Sequence, residues 1–307
     1  MKRAVVTGAN GFIGAALCRG LSEQGIEVIA VVKGQNADVS ELSELTNVKI
    51  VYCDLSDFRN LPDLIEVRPI DVLYHLAWVG SAGVLRGSYD VQTDNIRYTC
   101  EAVQACAGMG CKRFVFAASI MEYEIQSLMQ TEATPGINTL YCSAKVAADY
   151  MARALAGSLG VQYIRAVISN VYGPEKENTR IVNASLRKML SGKHCSFSAG
   201  EQIYDFIYIS DAVAYLIAIG ARGHNNRTYY IGSLKPQPLK MFLTEMKNQV
   251  DPSMEIGLGE IPFEGVSLDY TEFDVEAVKK DTGTEPQVSF AEGIQKTITW
   301  LRQNSEE

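Results

Sequence analysis

The chain has 307 residues, 47% hydrophobic and 21% charged, enough apolar material for one large domain or two closely joined ones. A net charge of −8 argues against a broad nucleic-acid surface but leaves room for a local pocket that takes a phosphorylated small molecule. No apolar run approaches the roughly 18 to 20 residues that span a bilayer, and Met1-Lys2-Arg3 leads straight into a strand, so a cytoplasmic protein with no membrane partner is expected.

In chain order, Ala4-Val5-Val6 reads as a strand and meets Gly8-Ala9-Asn10-Gly11-Phe12-Ile13-Gly14. A strand that ends in such a turn and opens a helix presents free backbone N–H groups to whatever lies above it. Glycines allow close approach and the helix dipole favours an anion, so the turn suits the pyrophosphate of a dinucleotide. The spacing is one residue wider at its start than the commonest fingerprint, and a plain tight turn is the alternative. Helical patterns follow at Phe12–Gln24, Phe58–Glu66 and Asn95–Gly108, alternating with apolar strands at Val28–Val32, Val48–Cys53, Asp71–Leu76 and Arg113–Ala118. A long helix over Leu140–Leu159 and a strand over Val161–Ile168 complete the alternation. This rhythm predicts an α/β fold of Rossmann type, a doubly wound parallel sheet with ligands at the carboxyl ends of its strands.

After Asn170 the rhythm changes. Helices are expected near Ile181–Leu190, Asp211–Ile219, Leu239–Asn248 and Phe290–Gln303, with a strand at Phe206–Ile209. The predicted division is a dinucleotide-binding domain over 1–170, to which 205–232 returns, and a smaller C-terminal substrate-binding lobe over 171–204 and 233–307. Seven cysteines without a C-x-x-C pair read as free thiols, and three scattered histidines give no metal-ligand spacing, so no metal is expected.

Tyr141-Cys142-Ser143-Ala144-Lys145 places a phenol and an ammonium four residues apart, on one face of a helix. An ammonium beside a phenol favours the phenolate, which makes the proton available nearer neutral pH for exchange with a sugar hydroxyl or ketone during hydride transfer. The same spacing also arises by chance on many helices.

Together with the glycine turn, these residues resemble the extended short-chain dehydrogenase/reductase family, the nucleotide-sugar epimerases, dehydratases and reductases. The resemblance spans nearly the whole chain through Thr7 to Gly14, Cys53-Asp54-Leu55, Tyr74-His75-Leu76-Ala77, Phe114 to Ser119, Tyr141 to Lys145 and Ser169-Asn170-Val171-Tyr172-Gly173-Pro174. It implies that Gly8, Gly11, Phe12, Ile13 and Gly14 cradle the pyrophosphate, that Asp54 and Leu55 contact adenine, and that Leu76, Ala77 and Trp78 border the cofactor. Asn95 resembles the family's helix asparagine near the active site. Ser119 would bond the reacting sugar oxygen, Tyr141 would be the acid/base, and Lys145 would hold the nicotinamide ribose while lowering the phenol's pKa. Asn170 would touch the diphosphate of a nucleotide-sugar substrate.

Three departures refine this. Ile120-Met121 stands where the family's 4,6-dehydratases carry Asp-Glu, which argues against dehydration. The second strand ends Val31-Val32-Lys33 without the acidic residue that accepts from an NAD ribose, so Lys33 favours NADP(H) over NAD, unless it is only a solvated loop lysine. Tyr204 occupies a position where relatives often carry a phosphate-clamping arginine, a task left to Arg180 or Arg187. On these grounds hydride transfer at a ring carbon, C4, of a nucleotide-linked sugar is expected, with a 4-keto-sugar reductase favoured over a 4-epimerase. A simple ketone reductase and a non-catalytic dinucleotide-binding regulator stand behind both. Relatives often pair through the helices near Asn95–Gly108 and Leu140–Leu159, so a homodimer is among the assemblies the resemblance allows, while the alanine-rich face of the second helix suits internal packing equally well.

Overall fold

A computed structural model of the chain describes residues 1–130, 134–175, 180–263 and 265–304. Six strands, β1 (Arg3–Thr7), β2 (Glu27–Val32), β3 (Val48–Tyr52), β4 (Val72–His75), β5 (Arg113–Ser119) and β6 (Gln162–Ile168), join a seventh at Arg227–Ile231 in one sheet. The order is β3-β2-β1-β4-β5-β6 followed by the Arg227–Ile231 strand, and every ladder from β3 to β6 is parallel. β4 is buried along its whole length and β2 at all but its first residue, as expected of strands covered on both faces. The chain winds outward from β1 to β3 and then crosses to β4 on β1's other side. The carboxyl ends of β1 and β4 therefore flank the point where the strand order reverses, where doubly wound sheets bind their ligands.

The chain divides into two compact units. One holds Met1–Ile168, Val213–Tyr230 and Glu276–Thr284; the other holds Ser169–Ala212, Ile231–Val275 and Glu285–Glu307. Residues 169–170, 205–212 and 231–232, grouped from the sequence with the first unit, belong to the second, where Phe206–Tyr208 pairs in parallel with Asn170–Tyr172. Residues 276–284, grouped from the sequence with the second, belong to the first: the Tyr229 hydroxyl donates to Asp281 at 2.8 Å and Arg222 donates to the Thr282 carbonyl at 2.8 Å.

Local chemistry accounts for the other differences. The helix expected over Phe58–Glu66 is a 3-10 turn, Leu55–Asn60, followed by one α turn at Leu61–Leu64, because Pro62 lacks the N–H needed to carry a longer helix through. The helix expected from Asn95 begins at Tyr89. A short helix at Tyr123–Met129 went unforeseen. In the second unit, helices Ile181–Leu190, Leu239–Val250 and Phe290–Gln303 enclose an aromatic core in which Phe242 meets Phe206 and Phe290 edge-on at 4.9 and 4.7 Å. Such pairs contribute about 0.5–1.5 kcal/mol each beyond area burial. Among the described residues, no helix is long and apolar enough to cross a membrane.

Candidate active site

The glycine turn follows β1 directly. Gly8 has φ +67, and a Cβ there would lie 2.8 Å from the Ala77 nitrogen, so the turn presses against the chain leaving β4. A Cβ on Gly14 would sit 2.1 Å from the Gly8 carbonyl oxygen, which lets the first helix, α1 (Phe12–Glu23), start hard against the turn. Gly11 caps α1 without a side chain, so no side chain closes the first turn over the N–H groups of Phe12 and Ile13. A cradle of this shape, open to backbone approach at the positive end of a helix, fits the pyrophosphate of a dinucleotide. Beneath it, the Thr7 hydroxyl accepts from Ala77 N at 3.3 Å and lies 3.0 Å from His75 Nδ1.

The candidate residues Ser119, Tyr141 and Lys145 reach the same edge of the sheet. Ser119 ends β5, and its hydroxyl accepts from Met121 N at 3.2 Å and hydrogen-bonds Tyr141. Tyr141 and Lys145 project from the Thr139–Ser158 helix, and both are buried. The Trp78 ring, just past Ala77, meets the Tyr141 ring edge-on at 6.0 Å and lies 3.8 Å from the Lys145 ammonium. An unbroken set of contacts thus runs from Gly8 through Ala77 and Trp78 to the phenol and the amine.

The electrostatics differ from the sequence expectation. Burial pushes the Tyr141 phenol up to about 12, against the pull of the Ser119 hydrogen bond and the nearby Arg86 charge. Burial also draws Lys145 down to about 8, with Glu122 and Asp149 opposing. The Lys145 ammonium donates to the Ala117 carbonyl at 2.8 Å, and the cation over the Tyr141 ring is the Arg86 guanidinium, 4.2 Å from its centroid. Arg86 thus stands as a cation over the face of the phenol ring. Nothing in the sequence spacing marked Arg86, whose loop only the fold brings over the helix.

Around this centre the remaining candidates take definite places. Asp54 caps the Leu55–Asn60 turn through Ser56, whose backbone hydrogen bond is the main cause of its lowered pKa, and its second oxygen lies 3.8 Å from the Lys33 ammonium. Lys33 is thus half engaged with a carboxylate, which weakens its claim on a 2′-phosphate. Asn95 is buried and uses its amide on the backbone of Val79 and Val91, so it holds the loop after β4. Gln92, missed from the sequence, does the same for Trp78, Gly80 and Leu85. A signal did exist: Gln92, Asn95 and Thr99 fall at i, i+3 and i+7, a polar stripe on one helix face, and all three are buried. Glu122 was also missed; it accepts from Ser119 N at 2.7 Å and from Arg165 at 2.6 Å. Within the second unit, Asn170 donates to the Asp205 carbonyl at 3.1 Å and Tyr204 stacks on Phe206 at 5.6 Å, while Arg180 is exposed ahead of the Ile181–Leu190 helix.

Comparison with known proteins agrees with this geometry. The chain is 26% identical to UDP-N-acetyl-alpha-D-glucosaminuronate decarboxylase of Bacillus cytotoxicus, over 98% of each chain. It is 26% identical to UDP-glucuronate 4-epimerase of Thermodesulfobacterium geofontis, over 98% of this chain and 97% of the other. Among solved structures, UDP-glucose 4-epimerase of Thermotoga maritima, crystallised with UDP-glucose, superposes with a TM-score of 0.82 at 23% identity, over 99% of this chain and 100% of that one. The Bordetella bronchiseptica enzyme WbmF in complex with NAD+ and UDP superposes with a TM-score of 0.79 at 21% identity, over 99% and 93%. The sequence profile of the NAD dependent epimerase/dehydratase family matches residues 4–232. The chain is therefore a member of that family, built on a Rossmann-type fold.

Proposed function

We propose that this protein interconverts the C4 epimers of a UDP-linked sugar, with NAD held by the glycine turn. The observation that carries the reading is the run of contacts from Gly8 through Ala77 and Trp78 to Tyr141 and Lys145, which sets an acid/base pair beside a dinucleotide cradle. A dinucleotide bound there supplies the hydride acceptor and donor. Tyr141 takes the proton of the C4 hydroxyl as that carbon is oxidised, and returns it once the ketone has turned its other face. Ser119 would hold the same oxygen, and Lys145, whose ammonium bonds the Ala117 carbonyl and faces the Trp78 ring, would hold the nicotinamide ribose.

The 4-epimerase, second to the reductase on sequence grounds, becomes the leading reading for two reasons. The NADP(H) preference rested on the missing acidic residue at the end of the second strand and on Lys33, whose ammonium lies 3.8 Å from Asp54. Two of the similar proteins are 4-epimerases by name, and the similar WbmF structure holds NAD+ and UDP. Elimination is disfavoured in this reading because Ile120 and Met121 are apolar and the nearby Glu122 is engaged by Ser119 N and Arg165.

Incubation with UDP-glucose, UDP-glucuronate and UDP-N-acetylglucosamine, with products resolved by chromatography, tests the proposal. The 4-epimer of at least one is expected without added reductant, and Tyr141→Phe should retain NAD yet lose about a hundredfold or more in turnover. No epimer from any of them, together with NADPH-dependent reduction of a 4-keto sugar nucleotide, returns the reductase to first place. Carbon dioxide release from the uronate would mark a decarboxylase instead.

A further inference from the structure

We propose that Arg86 is the charge partner of the Tyr141 phenol, a positioning residue for proton exchange, and that the loop after β4 is the scaffold that sets its guanidinium over the ring. This rests on the reading of Tyr141 as acid/base. The guanidinium carbon lies 4.2 Å from the ring centroid, the face-on approach that a planar delocalised cation makes to an aromatic ring. Its Nη1 donates to the Ser81 carbonyl at 3.1 Å, and Nη2 lies 3.9 Å from the Cys142 sulfur, beside Tyr141 on the helix.

The loop is built to hold that position. At Gly80, with φ +69, the chain folds back so tightly that a Cβ would meet the Leu85 carbonyl oxygen at 2.7 Å. The buried Gln92 ties both arms by donating to the Gly80 and Leu85 carbonyls at 3.0 Å, and accepts from the Trp78 indole at 3.0 Å. Asn95 binds both backbone groups of Val79. Arg86 follows Leu85 directly, so the pinned return arm delivers the cation to the phenol.

Each group facing Tyr141 has a definite sign. From the end of β5, the Ser119 hydroxyl favours the phenolate; from the turn after it, Glu122 opposes it. On its own helix, Cys142 opposes it, while Lys145 is turned to the Ala117 carbonyl and the Trp78 face. Glu124 accepts from the Cys142 thiol at 3.2 Å. Trp78 is uncharged. Arg86 favours the ionised phenol from the face of the ring, and Glu122 opposes it.

The test replaces Tyr141 in the full chain with 3,5-difluorotyrosine, whose phenol ionises where the protein stays folded, and follows its fluorine resonance against pH. In Arg86→Gln the ionisation midpoint is expected to rise by about one unit, a tenfold weaker acid. Arg86→Lys, which keeps the charge, should stay within about threefold of the parent. A midpoint unchanged in Arg86→Gln, or displaced as far in Arg86→Lys as in Arg86→Gln, overturns the proposal. If the Gln variant fails to fold, Arg86→Met takes its place under the same criteria: a raised midpoint supports the proposal and an unchanged one overturns it. The midpoint is read without turnover, so a null result counts against Arg86 alone, whereas absent epimerisation with the expected midpoints counts against the proposed function.

Discussion

Replacing Glu122 with glutamine tests whether charge or packing holds the turn beneath Ser119. The Glu122 side chain is 2% exposed; one oxygen accepts from Ser119 N at 2.7 Å and the other from Arg165 at 2.6 Å. Arg165 has a second carboxylate, Asp149, at 3.1 Å, which also pairs with Arg153 at 2.8 Å and accepts from the Tyr163 hydroxyl at 2.9 Å. Glutamine can keep the bond to Ser119 only by pointing its amide N–H groups at the guanidinium, donor against donor. Removing one partner of a buried pair costs about 3–5 kcal/mol; with Asp149 still compensating Arg165, a loss of about 2–3 kcal/mol is expected. That corresponds to a fall in midpoint temperature of about 4–12 °C. Only two tryptophans are present, Trp78 in the first unit and Trp300 in the second, so Trp78 fluorescence in a Trp300→Phe background reports the unit concerned. The double variant Glu122→Gln/Arg165→Met should recover part of the loss, because no uncompensated guanidinium remains. A single variant within about 0.5 kcal/mol of the parent, or a double variant less stable than the single, refutes the electrostatic account.

Two further perturbations probe the cradle and the histidine beneath it. Gly14→Ala puts a Cβ 2.1 Å from the Gly8 oxygen and 3.0 Å from the Ala9 Cα, backbone atoms that cannot swing aside. It should cost about 1–3 kcal/mol and abolish NAD binding by calorimetry, whereas Gly11→Ala, with its nearest neighbour at 3.3 Å, should leave the fold intact; equal stability in both variants contradicts the steric assignment. Burial pulls the His75 pKa down to about 3, with the Lys145 charge adding to the effect. The unfolded imidazole titrates near 6.5, so the unfolded chain binds the extra proton below that pH. Stability from this group is complete above about 6.5 and is lost as pH falls toward 3, by about 2 kcal/mol between pH 6.5 and 5. Urea titrations at pH 7 and 5 check this, and an equal drop in His75→Gln would assign the loss to other groups.

The doubly wound sheet was legible in the sequence because its signals are local and periodic. Four- to seven-residue apolar runs alternate with amphipathic stretches, and a three-glycine turn stands at the first junction. The Thr139–Ser158 helix and its Tyr141-Lys145 face were legible for the same reason. The return of residues 276–284 to the first unit was not. It depends on Asp281 meeting Tyr229 and on Thr282 meeting Arg222, side-chain contacts between segments about 50 to 60 residues apart that no periodicity encodes. The start at Tyr89 was hidden by two polar opening turns whose buried members, Gln92 and Asn95, serve the neighbouring loop rather than an apolar core.

At the site, spacing identifies which residues share a face but not which way a flexible charge turns. Tyr141 and Lys145 do share a helix face, yet the amine spends its shortest contact on the Ala117 carbonyl, 2.8 Å away at the end of β5. A buried ammonium needs acceptors, and a strand-end carbonyl next to an aromatic face satisfies it better than a phenol that is itself protonated. The Arg86 guanidinium lies over the phenol ring from the loop that Gln92 and Asn95 hold, so the two cations have separate anchors, Arg86 on the Ser81 carbonyl and Lys145 on the Ala117 carbonyl.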